Sequence, residues 1–138
     1  MTTVGEQMSP VSAVGPDTTL TEAAQQMRIS GVGGLPVLDH DGHCGGILTE
    51  RDIVIRVLAE EREARAAFVR DIATMHPVTC SPEEDIAAAA DRMRENEVQH
   101  LPVCRAGQVV GVISLADIAF GRPDEERGTI VPPEVVSR

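Results

Sequence analysis

Apolar residues recur at helical spacing twice along this chain. Leu20, Ala23, Ala24 and Met27 fall on one face, and Ile86, Ala89, Ala90 and Met93 repeat that face about 66 residues later. Thr19 with Glu22 forms a capping box at the start of the first helix, and Asp85 is a suitable N-cap for the second. Behind each helix comes a short apolar run, Leu35 to Leu38 and Leu101 to Val103, and then a turn. In the first copy the turn is Asp41-Gly42, a strong hairpin signal, matched by Ala106-Gly107. A further strand, about Gly45 to Leu48, feeds a helix predicted to turn Ile53, Val54, Val57 and Leu58 inward. Val11 and Val78 precede the turns at Gly15-Pro16-Asp17 and Ser81-Pro82-Glu83 that open the copies.

Each copy thus reads strand–helix–strand–strand–helix, so the chain is an α/β (α+β) protein built by tandem duplication. One such unit buries too little to stand alone, and the two are expected to pack together. The pattern divides the chain into 1–66, 67–121 and an irregular tail, 122–138, with Pro123, Pro132 and Pro133. Within that tail Thr129-Ile130-Val131 offers an edge strand. Glu60 to Ala67 is charged and rich in helix formers, which predicts that the second helix of the first copy runs on into the linker.

The two copies agree most closely at Gly46-Ile47-Leu48-Thr49-Glu50-Arg51-Asp52-Ile53 and Gly111-Val112-Ile113-Ser114-Leu115-Ala116-Asp117-Ile118. A glycine and two aliphatic residues end a strand; a hydroxyl and, three positions on, an aspartate start a helix. Hydroxyl then acid is the signature of a capping box. The same trio of helix start, hydroxyl and carboxylate also suits a nucleotide, with phosphate at the amides and ribose at the acid. The two readings are compatible.

Composition narrows the partners. A net charge of -10 argues against sequence-independent binding to nucleic acid or to anionic membrane. With two Phe and neither Trp nor Tyr, bases have no aromatic platform to stack on. The N-terminus is neither basic nor apolar, so no secretory signal is expected and the expected location is the cytoplasm. Three cysteines, Cys44, Cys80 and Cys104, do not suggest a disulfide framework; reduced core or half-buried positions are expected.

The ordered set of Leu-Pro-Val strands and Gly–aliphatic–aliphatic–Thr/Ser–x–x–Asp–Ile endings, occurring twice, resembles tandem cystathionine-β-synthase (CBS) domains, the Bateman module. The resemblance covers about Val4 to Phe120. It implies a pseudo-twofold pair of α/β units with clefts between them, adenosine-type ligands such as AMP, ADP, ATP or S-adenosylmethionine, and a homodimer. By that resemblance the ribose acids are Asp52 and Asp117, and the phosphate-side hydroxyls are Thr49 and Ser114. The strand backbone that meets adenine runs near Val11, Ser12 and Ala13 and near Val78, Thr79 and Cys80. A basic residue ahead of Leu-Pro-Val touches phosphate in some members. Here those positions hold Gln99-His100 in the second copy and Gly33-Gly34 in the first, which leaves the first without a cation. Arg51 faces either phosphate or solvent.

Catalysis is not expected: the chain has no P-loop, no H-E-x-x-H and no G-x-S-x-G elbow. Gly31-Val32-Gly33-Gly34 precedes a strand, unlike a dinucleotide fingerprint. No metal and no required cofactor are expected, although His40, His43 and Cys44 are the one metal-like cluster, with His76 or Cys80 as distant candidates. The reading is a regulatory module that binds an adenosine-type ligand and signals to a separate protein effector. Its alternative is a structural or metal-binding stress-response dimer without a nucleotide. The homodimer is expected to bury at least ~1,200 Å².

Overall fold

The computed structural model describes residues 1–121, so the tail and its Thr129-Ile130-Val131 segment lie outside the described residues. Two long helices dominate, α2 (Leu20–Ser30) and α5 (Ile86–Asn96), after the short α1 (Val4–Gln7) and β1 (Ser9–Pro10). Both begin as their sequences direct. The Thr19 hydroxyl accepts from the Glu22 amide at 3.2 Å while Glu22 accepts from the Thr19 amide at 3.0 Å. Asp85 accepts from the Ala87 amide at 2.9 Å. Gly31 ends α2 in the left-handed region at φ 70°.

Each long helix leads into a hairpin. In the first half β2 (Gly34–Leu38) pairs antiparallel with β3 (Cys44–Thr49); in the second β5 (His100–Arg105) pairs with β6 (Gln108–Ser114). Between the halves lie α3 (Glu50–Ile53), continued by a π-helical turn over Val54–Leu58, then α4 (Val69–Ile72) and β4 (Thr74–Met75). The last described helix is α6 (Leu115–Phe120).

The third strand of each sheet comes from the lead-in to the other half. β4 joins β3 in the sheet β2-β3-β4, and β1 joins β6 in the sheet β1-β6-β5. This crossing accounts for the glycine that opens each octet. A Cβ on Gly46 would lie 2.9 Å from the Thr74 carbonyl oxygen, and one on Gly111 would lie 2.5 Å from that of Ser9. Any side chain there would push the edge strand off its ladder.

The cores are exchanged in the same sense. Val4 is fully buried with Met93, Leu101 and Ile113 of the second half. Val69 and Ile72 are buried with Leu20, Leu35 and Leu48 of the first. Matching backbone bonds hold the short helices in place. Val4 and Gly5 amides donate to Glu84 and Pro82 carbonyls, both at 2.8 Å, as Val69 and Arg70 donate to Thr18 and Pro16 at 2.8 and 3.0 Å. Neither half closes its core alone, consistent with the small size of each.

Two expectations about the linker fail. Residues 59–67 form turns and irregular chain, not helix, because helix propensity alone is weak without a face to bury. Of the residues expected inward, Val57 is fully buried and Ile53 partly so, whereas Val54 is 51% and Leu58 66% exposed. The π turn widens the spacing and swings those side chains outward.

Candidate functional site

The two octets do build capping boxes. Asp52 Oδ2 accepts from the Thr49 amide at 2.9 Å, and Thr49 Oγ1 accepts from the Asp52 amide at 3.2 Å. In the second half Asp117 Oδ2 accepts from the Ser114 amide and Ser114 Oγ from the Asp117 amide, both at 3.0 Å. Asp117 is buried and Asp52 half-buried. Capping therefore explains part of what these acids do.

It does not explain their company. The halves meet where β2 and β3 pack against β5 and β6. At that seam the His100 ring lies on Gly34, and the Glu50 carboxylate lies over Gly33. The backbone repeats the relation: Glu50 donates its amide to Gly33, and Leu115 donates to Gln99, each at 2.9 Å. Burial pulls the His100 pKa down, while the nearby carboxylates of Glu50, Asp117 and Asp52 push it back up. One imidazole thus sits within the field of three acids drawn from both halves. Glu50 was not singled out by sequence reasoning; its match, Leu115, hides it from a repeat comparison.

The other nominated residues are spread around this point. Arg51 is exposed on the first turn of α3, Val11 is 54% exposed, and Ser12 and Val78 are half-buried. Two residues that sequence reasoning missed hold these lead-in segments. Gln26 Nε2 donates to Ser12 Oγ and to the Ala13 carbonyl, both at 3.0 Å. At the matching place on α5, Arg92 Nη1 donates to the Thr79 carbonyl at 2.9 Å and Arg92 Nη2 donates to Glu84 Oε1 at 2.6 Å. A long polar residue at the same position of both helices was the available signal.

Thr79 also lines a cavity of about 420 Å³ with His43, Cys44, Cys80, Ser81, Glu84, Cys104 and Gly107. His40 does not line it, and neither His40 nor the exposed His76 approaches Cys44 as a ligand set. Among the described residues, Asp39, Asp41 and His43 bring ligand atoms within 4.8 Å of one another, all exposed. Asp39 Oδ1 is already occupied by the amides of Asp41 and His43, each at 2.9 Å, as the turn requires.

The family model of the CBS domain matches this chain twice, at residues 4–59 and 69–122. The chain belongs to the CBS-domain family. It is 35% identical over 125 residues to hypoxic response protein 1 of Mycobacterium tuberculosis, covering 90% of this chain and 87% of that protein. Among solved CBS structures, Hypoxic Response Protein I with two coordinated zinc ions superposes with a TM-score of 0.74 at 35% identity, over 88% of this chain and 100% of that one. The CBS-domain protein ATU1752 of Agrobacterium tumefaciens gives 0.77 at 29% identity, over 88% and 94%. The CBS pair of MJ0100, in complex with 5′-methylthioadenosine and S-adenosyl-L-methionine, gives 0.76 at 24% identity, over 87% and 94%, a likeness of fold. No helix among the described residues is long and apolar enough to cross a membrane.

Proposed function

We propose that this CBS pair is a non-catalytic regulatory module that holds an adenosine-containing ligand at the seam between its halves. The observation that carries this reading is the meeting of the two octets at the seam, where Glu50 lies over Gly33 and the His100 ring on Gly34, and where the carboxylates of Glu50, Asp117 and Asp52 raise the pKa that burial of His100 lowers. Capping needs one acceptor oxygen per aspartate, whereas a carboxylate offers about four acceptor sites. A ribose diol donates two hydrogen bonds to such a group, strengthened by its charge. The fold is one that in MJ0100 accompanies adenosine compounds. The neutral tendency of His100 and the acids around it favour the nucleoside end of a ligand over a polyphosphate. Ligand binding across the seam would alter how the halves pack and so signal to a separate protein effector. The exposed apolar residues of the π turn provide a surface for a homodimer.

Thermal shift and titration calorimetry on dialysed protein with AMP, ADP, ATP and S-adenosylmethionine test this. Saturable binding with a raised Tm is expected for at least one of them. At 100 times Kd a ligand adds about 2.7 kcal/mol of stability. No shift and no heat with any of the four would overturn the reading.

A further inference from the structure

The two octets differ at their fifth position, where the first has Glu50 and the second Leu115. Glu50 follows directly on Thr49, the last residue of β3, and its amide donates to the Gly33 carbonyl at 2.9 Å. Its side chain lies back over the same glycine. A Cβ on Gly33 would stand 2.7 Å from Oε1, 2.8 Å from Cδ and 3.2 Å from Oε2. The whole carboxyl group thus occupies the space that a side chain on Gly33 would take. On the next residue, Gly34, that space is taken by the His100 ring of the other half.

A helix dipole favours an acid in the first turn, which accounts for Glu50 being acidic. It does not account for the carboxyl group lying on Gly33, because an acid pointing into solvent serves the dipole equally well. Among the described residues no ion pair holds it there. The charge around it is one-sided. Of the acids that act on His100, Glu50 acts most strongly, ahead of Asp117 and Asp52. The chain has no lysine, and the two octets contain a single arginine, Arg51, exposed on the first turn of α3. Arg56 is committed to the Ile72 carbonyl at 2.7 Å, and Arg92 to Thr79 and Glu84.

Resting on the reading above that an adenosine ligand binds at this seam, we propose that Glu50 selects the ligand by charge. The site takes adenosine compounds whose 5′ substituent is neutral or cationic, a thioether or a sulfonium, and rejects 5′-phosphates. Glu50 and Asp52 share the first turn of α3, so a sugar held by Asp52 carries its 5′ group within about one helical turn, ~5 Å, of the Glu50 carboxylate. At that range two like charges repel strongly in a partly desolvated cleft, and a cation is attracted by as much. Glu50 is exposed, so solvent and salt reduce the effect without removing it. In the second octet Leu115 offers a 5′ group neither attraction nor repulsion, so the discrimination comes from the first half.

Titration calorimetry with AMP, 5′-methylthioadenosine and S-adenosylmethionine tests this, since the three share adenosine and differ in charge at the 5′ end. Wild-type protein should bind AMP at least ~10-fold more weakly than the thioether, and the sulfonium more tightly than either. Glu50→Gln keeps the shape of the side chain and removes its charge. It should tighten AMP by ~10-fold or more, weaken S-adenosylmethionine by ~3-fold or more, and leave the thioether within about 3-fold. Glu60→Gln removes the same charge from an exposed turn and should move each ligand by less than about 2-fold. Circular dichroism checks that the variants fold. Wild-type titrations at about 50 and about 500 mM salt give a readout without substitution, with AMP tightening and S-adenosylmethionine loosening as salt rises. AMP binding the wild type as tightly as the thioether would overturn the proposal and leave the adenosine reading in place. An unchanged ratio of AMP to thioether affinity in Glu50→Gln would do the same. No binding by any of the three would overturn both.

Discussion

The imidazole of His100 occupies the space where a side chain on Gly34 would be. A Cβ at Gly34 would stand 2.9 Å from Cδ2, 3.0 Å from Cγ and 3.3 Å from Cβ of that histidine. The two positions correspond in the repeat, so at the seam one half supplies the ring and the other its berth. Because the clash reaches the root of the His100 side chain, rotation of the ring does not relieve it. Gly34→Ala is expected to destabilise by about 1–3 kcal/mol, the usual result of overpacking. Adding His100→Ala should recover at least ~1 kcal/mol of that loss, a coupling that distant sites do not show. Urea unfolding of the two single variants and the double variant measures it; strictly additive losses would refute the contact.

His100 also makes stability depend on pH. Burial is the largest influence and holds its folded pKa below the ordinary 6.5, despite the carboxylates of Glu50, Asp117 and Asp52. The unfolded chain therefore takes up its proton first as pH falls through 6.5, and the native state loses stability until the folded pKa is passed. Below that point this contribution is flat. His100→Gln should remove the slope that begins near 6.5 while leaving the carboxylate-driven loss at lower pH. Chemical denaturation at several pH values decides it.

Arg92 ties the lead-in of the second half to α5 through the Thr79 carbonyl and Glu84. The bond to Arg92 is the main reason the Glu84 carboxyl is held below its usual range. That stability is present above the unfolded carboxylate pKa and disappears as pH falls through the lower folded value. Arg92→Met should cost about 1–2 kcal/mol at neutral pH and flatten this acid limb. Gln26→Met, which breaks the equivalent neutral bonds, should cost about 1 kcal/mol with no change in acid sensitivity.

Local signals made most of the fold legible. Capping boxes at Thr19, Thr49 and Ser114 and the alternation of α2 with the β2–β3 hairpin are written in neighbouring residues. The exchange of β1 and β4 between halves is not, because it depends on pairing across some 30 to 100 residues of chain. Its trace was nevertheless visible in Gly46 and Gly111, whose missing side chains admit the crossing strand. Asp52 and Asp117 were legible from the repeat as the acids of two capping boxes, while Glu50 was masked by Leu115. The cavity that Cys44 and Cys104 both line depends on the register of two hairpins, which no periodicity encodes.

Val54, Ile55 and Leu58 leave an apolar strip on the π turn, 51%, 47% and 66% exposed. A homodimer covering such a strip should bury at least ~1,200 Å². Leu58→Glu would place a charge there and is expected to shift dimer to monomer with the fold intact, since Leu58 lies outside the first-half core. Light scattering at tens of micromolar reads the mass directly. A wild-type monomer, with and without adenosine ligand, would refute the dimer.

Asp52→Asn and Asp117→Asn separate ligand binding from capping at the acids themselves. The capping bond to each aspartate comes from the Thr49 amide at 2.9 Å or the Ser114 amide at 3.0 Å. Asparagine keeps one carbonyl oxygen for that amide, so stability without ligand should fall by no more than ~0.5 kcal/mol. With that oxygen committed, the new side chain presents an NH₂ where the diol needs an acceptor. A ribose hydroxyl then meets a donor in place of a charged acceptor. Each affected site should lose about 1.5–3 kcal/mol of binding, or roughly 10- to 150-fold. Titration calorimetry of the single and double variants gives the affinities, and melting without ligand gives the control. Unchanged affinity in the double variant would reduce both acids to caps. A large loss of affinity at nearly constant Tm would show that the carboxylates serve the ligand as well as the helix.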